Sequence, residues 1–463
     1  MTRRERLVLL ASTIGFSMVL LDTTVVNVAL GSIARDLHAG PTTLEWVANA
    51  YTLVFAGLLL STGLAADRIG ARTVFLTGLA TFATGSVAAS AAPTAGALVA
   101  AQALLGVGAA LILPTSLSLL SQVFSDPARR VRAVGVWAAG SAVAFAAGPV
   151  VGGLLIEQAG WRSIFVLNLP LALAAGLLVV SQVRAGRPAA PAAAPLNAGA
   201  QAAAVAMLVA LTFGLVESGA RGWGAAPVVA ALGAAAVLAG GLVRRERSTS
   251  RRLVPRELAA DPRFTASTAS GALLNFAFYG ELFFLSLFLQ QERGLDALET
   301  GLAFLPQPLL FIAAAPVFSR LVAARGPRVP LALGAAISVG GAIALLRVDE
   351  HSAYGVLMVG LALNGLGGGL AIPAVTAGVM GSAPAPLAGI ASATLNAGRQ
   401  VGGVLGVAVL GGIAAGGGRV EVAGMHQAVL IAAVGLAVAS ALSVRLREPR
   451  AETVRARAAL AAD

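Results

Sequence analysis

The 463-residue chain has no cysteine and no lysine, only three histidines, and few aromatic (5%) or charged (11%) residues. Without cysteine there is no disulfide, no thiolate nucleophile and no zinc knuckle. Without lysine there is no Gly-x-x-x-x-Gly-Lys-[Ser/Thr] loop, which excludes a Walker-type ATP-driven pump. His38, His351 and His426 are far apart and lie outside the apolar runs, so no metal centre is expected. No paired carboxylates, histidine cluster or nucleophile–base pair suggests catalysis, and no room is left for a soluble signalling domain. The scarcity of charge, set against 57% apolar residues and a mean hydropathy of +0.85, excludes a water-soluble enzyme.

What is present is apolar sequence in helix-length runs. Fourteen segments read as spans, at about 7–30, 46–66, 73–92, 96–123, 133–156, 163–183, 197–216, 225–243, 264–290, 299–322, 329–347, 354–380, 388–413 and 425–444. The expected class is an all-α polytopic membrane protein. The first run follows Arg3, Arg4 and Arg6 but passes Leu21 without a small-residue cleavage site, so it reads as a retained span and not a signal peptide.

The 32 basic residues, all arginine, give a net charge of +11. Segments predicted to lie inside carry 25 of them, and segments predicted to lie outside carry six: Arg35, Arg162, Arg221, Arg293, Arg347 and Arg419. One, Arg399, lies within a span. This asymmetry places both termini in the cytoplasm of an inner (plasma) membrane. It also explains the basic character as topogenic charge facing anionic lipid, with no nucleic-acid partner.

The chain repeats itself. Residues 106–114 (GVGAALILP) recur as 365–373 (GLGGGLAIP), in the fourth and twelfth spans, and the loop 64–72 is echoed by 321–328. Spans one to six therefore correspond to nine to fourteen, with two left over. The expected organisation is an N-terminal six-helix bundle (1–183), a two-helix insert with cytoplasmic linkers (184–262), and a C-terminal six-helix bundle with a cytoplasmic tail (263–463). The linkers are the Ala/Pro stretch 185–196 and the arginine-rich stretch 244–263.

Four segments carry a resemblance: 21–30 (LDTTVVNVAL), 63–72 (GLAADRIGAR), 148–153 (GPVVGG) and 161–170 (WRSIFVLNLP). In this order they resemble the motifs of the major facilitator superfamily, and more narrowly of its fourteen-helix drug:proton antiporter family. The match runs from the first span to the sixth, with weaker echoes through Arg399. Two positions depart from the pattern. The family's fourth helix carries an arginine and, three residues later, a glutamine where this chain has Gln102 and Leu105, and its fifth-helix motif has a further glycine where this chain has Ala144.

The individual residues add to this. Asp22 lies about 15 residues into the first run, roughly 20 Å along a helix at ~1.5 Å per residue, and a charged carboxylate at that depth costs at least ~2.5 kcal/mol. It must face a cavity, find a partner or hold a proton; the readings are proton coupling, or a static hydrogen bond to Thr23, Asn27 or a neighbouring helix. Glu281 is the second intramembrane acid, suited either to coupling or cation attraction or to a solvated helix face. Arg399, beside Gln400 and Gly402-Gly403, serves a carboxylate, a substrate or backbone carbonyls. With the family arginine replaced by Gln102, Arg399 stands as the remaining cation for the cavity. Asn27, Gln102, Asn275, Gln307, Asn364 and Asn396 are the expected polar lining, with Tyr51, Trp137 and Tyr279 as aromatics with polar tips.

Gly63 and Gly70 suit a tight inter-helix turn, and Asp67 with Arg68 and Arg72 suits a cytoplasmic charge network that forms in one access state, or else a loop that sets topology. Gly148, Pro149, Gly152 and Gly153 give a bend and a close-packing helix face, to which the resemblance adds control of leak. The expected function is secondary active efflux of a hydrophobic or amphipathic drug-like compound in exchange for protons by alternating access, by a monomer without cofactor or metal. The alternative is dedicated export of a self-made antibiotic or metabolite, and a membrane-embedded enzyme or a sensor is disfavoured.

Overall fold

A computed structural model of the chain describes residues 1–124, 126–183, 198–249, 252–384, 387–415 and 420–446; among these the regular structure is helical, with no strand. In the first half, α1 (Arg3–Leu37), α2 (Pro41–Ile69), α3 (Ala71–Ser90), α4 (Ala95–Val123) and α5 (Pro127–Ala159) are long, and the sixth span is broken into α6 (Ser163–Val166) and α7 (Asn168–Gln182). Next come α8 (Ala198–Arg221), α9 (Ala226–Ser248) and the short α10 (Arg256–Ala259). The second half holds α11 (Pro262–Gln291), α12 (Ala297–Ala303), α13 (Pro306–Ala313), α14 (Ala315–Arg325), α15 (Arg328–Leu345), α16 (Tyr354–Ser382), α17 (Ala388–Gly406), α18 (Gly412–Ala414) and α19 (Val422–Leu442). A π-helical segment, Val407–Gly411, joins α17 to α18.

Thirteen helices among the described residues are long and apolar enough to cross a membrane. The second expected span falls on α2, a 29-residue helix whose side chains at 60, 61 and 63–68 lie outside the described residues. The tenth span, expected at 299–322, falls on Ala297–Arg325 and is interrupted into α12, α13 and α14, because Pro306, Pro308 and Pro316 withdraw backbone donors along it. The linker 185–196 lies outside the described residues.

The internal repeat is a repeat of packing. In α4, Gly106 lies against the Tyr51 carbonyl of α2, and Gly108 lies against Phe82 of α3. In α16, Gly365 lies against Gln307 of α13, and Gly367 against Gly334 and Ser338 of α15. Each glycine removes the side chain that would hold the neighbouring helix away, so the fourth helix of each half wedges between the second and third. The two interhelical loops agree as well: Gly70 (φ 90°) and Gly326 (φ 67°) each adopt a backbone conformation that side-chain-bearing residues avoid.

α1 and α11 run through the middle of the assembly; the most apolar stretch of α11 is 72% buried against 11% for that of α9. The insert is peripheral. α8 docks on α2, with Val205 against Gly57, Gln201 Nε2 donating to the Gly57 carbonyl (3.0 Å) and Trp46 Nε1 donating to Glu217 (3.4 Å), while α9 packs on α8.

Candidate functional site

Two spaces lie between the halves, and each is lined by a buried acid. The smaller, about 20 Å³, is bordered by Asp22, Thr23, Asn27, Tyr51, Gln102 and Tyr279, room for about one water. Asp22 is 3% exposed. Its Oδ1 accepts from Asn168 Nδ2 of α7 at 2.9 Å, the same amide reaching Ser86 Oγ of α3 at 3.2 Å. Its Oδ2 has no partner among the described residues. Of the static partners the sequence offered Asp22, the structure supplies the neighbouring helix, through Asn168, and not Thr23 or Asn27: Thr23 Oγ1 donates to the Leu20 carbonyl (2.6 Å) and Asn27 Nδ2 to the Thr23 carbonyl (3.0 Å), both within α1. Gln102 is buried beside Asp22's cleft, its Oε1 without a partner among the described residues.

The larger space is a cavity of about 370 Å³. Glu281 lines it from α11 and is 4% exposed, so it is not on a solvated helix face. Asn364 Nδ2 of α16 donates to both carboxyl oxygens, at 2.9 and 2.7 Å. Arg399 and Gln400 line the cavity from α17, together with Asn275, Gln307 and Asn396. Asn27 and Gln102 belong instead to the cleft. Tyr279 borders both spaces. Arg399 and Asp22 do not form an ion pair here; the ion pairs among the described residues include Arg129–Asp126, Arg162–Asp36, Arg221–Glu217 and Arg263–Asp261.

The cavity is more aromatic than a 5% content suggested. Phe16, Phe55, Phe145, Phe278, Phe304 and Phe311 converge on it from both halves. Tyr51 borders the cleft instead, and Trp137 does not line the cavity but stacks on Phe16, ring centroids 4.3 Å apart.

The Gly-Pro segment of α5 does two jobs. Gly148 meets Thr24 and Gly152 meets Val25, so α5 lies flush on α1. Pro149 has no N–H, which frees the carbonyl four residues earlier; that carbonyl, Phe145 O, accepts from Thr24 Oγ1 at 3.3 Å. Thr24→Val removes this donor from a buried site, and its melting temperature in detergent is expected to fall by the equivalent of about 1 kcal/mol.

The other face of the segment joins the halves. A Cβ on Gly153 would lie 2.6 Å from the Ala297 carbonyl of α12, and one on Gly301 would collide with the Pro149 carbonyl. Nearby, Ser286 Oγ donates to the Asn27 carbonyl (2.6 Å), and Gln290 Nε2 donates to the Val28 carbonyl (3.1 Å) and to Ser286 Oγ (3.0 Å). These contacts tie α1 to α11 and α5 to α12 across the two halves. Sequence reading did not single out Ser286, Gln290, Ser86 or Gly301, whose roles depend on which helix they face. Asn168 stood inside a quoted motif, and an amide within an apolar run was its available signal.

Of the segment 63–72, Gly70 caps the start of α3 and Arg72 is half-buried with Nε lacking a hydrogen-bond partner among the described residues. Gly63, Asp67 and Arg68 are not in a loop as expected but in the last turns of α2, which runs to Ile69, so Gly70 alone makes the turn; their side chains lie outside the described residues.

Two repeated helical units around a shared cavity, with polar groups buried at mid-helix and no catalytic constellation read from the sequence, form the architecture of a multi-pass membrane transporter. The chain belongs to the Major Facilitator Superfamily, whose sequence profile matches residues 12–407 and 309–462. It is 36% identical over 402 residues to the methylenomycin A resistance protein of Streptomyces coelicolor, covering 86% of this chain and 83% of that one. It is 34% identical to the tetracenomycin C resistance and export protein of Streptomyces glaucescens (87% and 74% covered). To the multidrug resistance protein Stp of Mycobacterium tuberculosis it is likewise 34% identical (90% and 77%). In fold it is similar to a crystal structure of the peptide transporter POT in complex with sulfate, with a TM-score of 0.70 at 16% identity, covering 95% of each chain.

Proposed function

We propose that this protein is a secondary active exporter of hydrophobic or amphipathic drug-like compounds, driven by proton exchange through alternating access. The observation that carries the reading is Asp22: a carboxyl group at mid-helix, sealed from bulk water, held by a neutral amide and with one oxygen free toward a cleft of one-water size. Burying a carboxylate without a cation is costly, and protonation removes that cost. A group held this way can take a proton in one access state and release it in the other. The names of the relatives, which speak of resistance, export and multidrug resistance, support a drug-like cargo, and the apolar, phenylalanine-rich cavity suits one.

In this reading the chain is a monomer of fourteen spans in the inner membrane, organised as 1–183, 184–262 and 263–463, with both termini cytoplasmic. The end sealed by Ser286, Gln290, Gly153 and Gly301 is then the outer end, and the protein is closed to the outside. The segment Gly63, Asp67, Arg68, Gly70 and Arg72 forms the opposing cytoplasmic gate.

The test is substrate-dependent proton movement in everted vesicles. Adding a transported dye to energised vesicles containing the protein is expected to dissipate the pH gradient, and vesicles lacking it show no response. Dye transport that persists unchanged when the pH gradient is collapsed would overturn proton exchange. A second reading, export of one antibiotic or metabolite, is favoured by relatives named for a single compound; a panel of unrelated dyes separates the two, since a dedicated exporter moves few of them.

A further inference from the structure

The charges facing the large cavity are unevenly satisfied. Glu281 has both oxygens occupied by the Asn364 amide, at 2.9 and 2.7 Å. Arg399 lines the same cavity, yet no carboxylate lies within ion-pair distance of it among the described residues. Its aliphatic stem rests on Gly271 of α11. The next residue, Gln400, lines the same wall with its Oε1 buried and without a partner among the described residues.

A guanidinium stays ionised under any condition the cell offers, and its planar fork matches a carboxylate in two parallel hydrogen bonds. Placed in an apolar cavity without a counter-ion, it is an uncompensated charge in a low-dielectric site. The cavity around it is large enough for a drug-sized body and carries phenylalanine rings on its walls. A cationic cargo would meet repulsion from Arg399, while both oxygens of the acid on the cavity wall, Glu281, already accept from the Asn364 amide.

Resting on the export reading above, we propose that the preferred cargo is an amphipathic organic anion, whose carboxylate or equivalent acidic oxygen pairs with Arg399 while its apolar body lies on the phenylalanine wall. Asp22, in its separate cleft, is left to carry the proton. Gln400 then offers an acceptor to a hydroxyl or N–H beside the anionic group. The charged positions thus divide the work: Arg399 selects, Asp22 couples, and Glu281 with Asn364 ties α11 to α16.

The test uses three probes with one body: pyrenebutyrate, pyrenebutanol and pyrenebutylamine, titrated against the purified full-length protein in nanodiscs by pyrene fluorescence. A charge-assisted pair in this setting is expected to make the butyrate bind about 10-fold tighter than the alcohol, with the amine weakest. In Arg399→Gln the butyrate-to-alcohol ratio falls to about 1, and in Arg399→Lys part of it returns. A ratio is read within one preparation, so a general loss of binding does not imitate the effect. Wild-type protein that binds the amine tightest, or the alcohol as well as the butyrate, overturns the proposal before any variant is made. If the alcohol or amine is carried against a pH gradient while no butyrate preference exists, the anion assignment fails and proton-driven export stands. If no probe moves in response to a pH gradient but butyrate selectivity depends on Arg399, the coupling reading fails and the anion site stands.

Discussion

Asp22→Asn is expected to abolish pH-gradient-driven transport in everted vesicles, to the level of vesicles lacking the protein, while leaving the fold intact. The amide is the same size as the carboxyl and keeps a carbonyl oxygen for the Asn168 Nδ2 donor, which now reaches Asp22 Oδ1 at 2.9 Å. It cannot gain or lose a proton. The substitution also removes the need to place a charge, or a proton, at a position 3% exposed, so stability is expected to change by less than about 1 kcal/mol. Dye binding and downhill exchange should survive, because Asp22 borders the one-water cleft and not the large cavity. Full gradient-driven efflux by this variant would remove Asp22 from the mechanism; loss of binding together with transport would make it a structural or substrate group.

Gly301→Val is expected to have an equally large effect of another kind, by opening the closed end. A Cβ at this position has no room: it falls on the Pro149 carbonyl, backbone that cannot move aside as a side-chain tip would. Overpacking of this sort costs about 1–3 kcal/mol, enough to move a two-state equilibrium by about 5- to 150-fold. The cost applies only where α5 and α12 are in contact, so the state in which they separate is favoured. The absence of native cysteine makes the readout clean. A cysteine introduced as Ala146→Cys, on the cavity wall, should react slowly with a membrane-impermeant maleimide in right-side-out vesicles. With Gly301→Val added, its labelling rate is expected to rise by about 10-fold. An unchanged rate, in protein that is folded and inserted, would mean that the α5–α12 contact does not form the outer seal.

The two acids were legible in the sequence because a charge inside an apolar run is conspicuous whatever surrounds it. What holds each acid was not. Asp22 is paired with a residue 146 positions away and Glu281 with one 83 away, and an asparagine in an apolar helix does not declare which neighbour it faces. The cavity shows the same limit. Six phenylalanines scattered over both halves form its wall, and an aromatic content of 5% did not show that they would converge. Conversely, the glycines at 106, 108, 365 and 367 stood out in the sequence as a repeat, and each half uses them the same way. Small-residue spacing on a helix defines a face, and that face survives as long as the helix does.

By itself, the sequence determined that this is a bundle of membrane-crossing helices, built twice, with acids stranded at mid-helix. Those features follow from composition counted along one dimension, since lipid offers backbone groups no partner and forces each long apolar run into a helix that satisfies its own. Only the tertiary structure decided that Asp22 and Glu281 occupy separate spaces, that Arg399 stands in the larger one without an ion-pair partner among the described residues, and that the Gly-Pro segment of α5 packs against α12. Those depend on how each helix is rotated and against what it is laid, and helix rotation is settled by contacts between residues far apart in the chain.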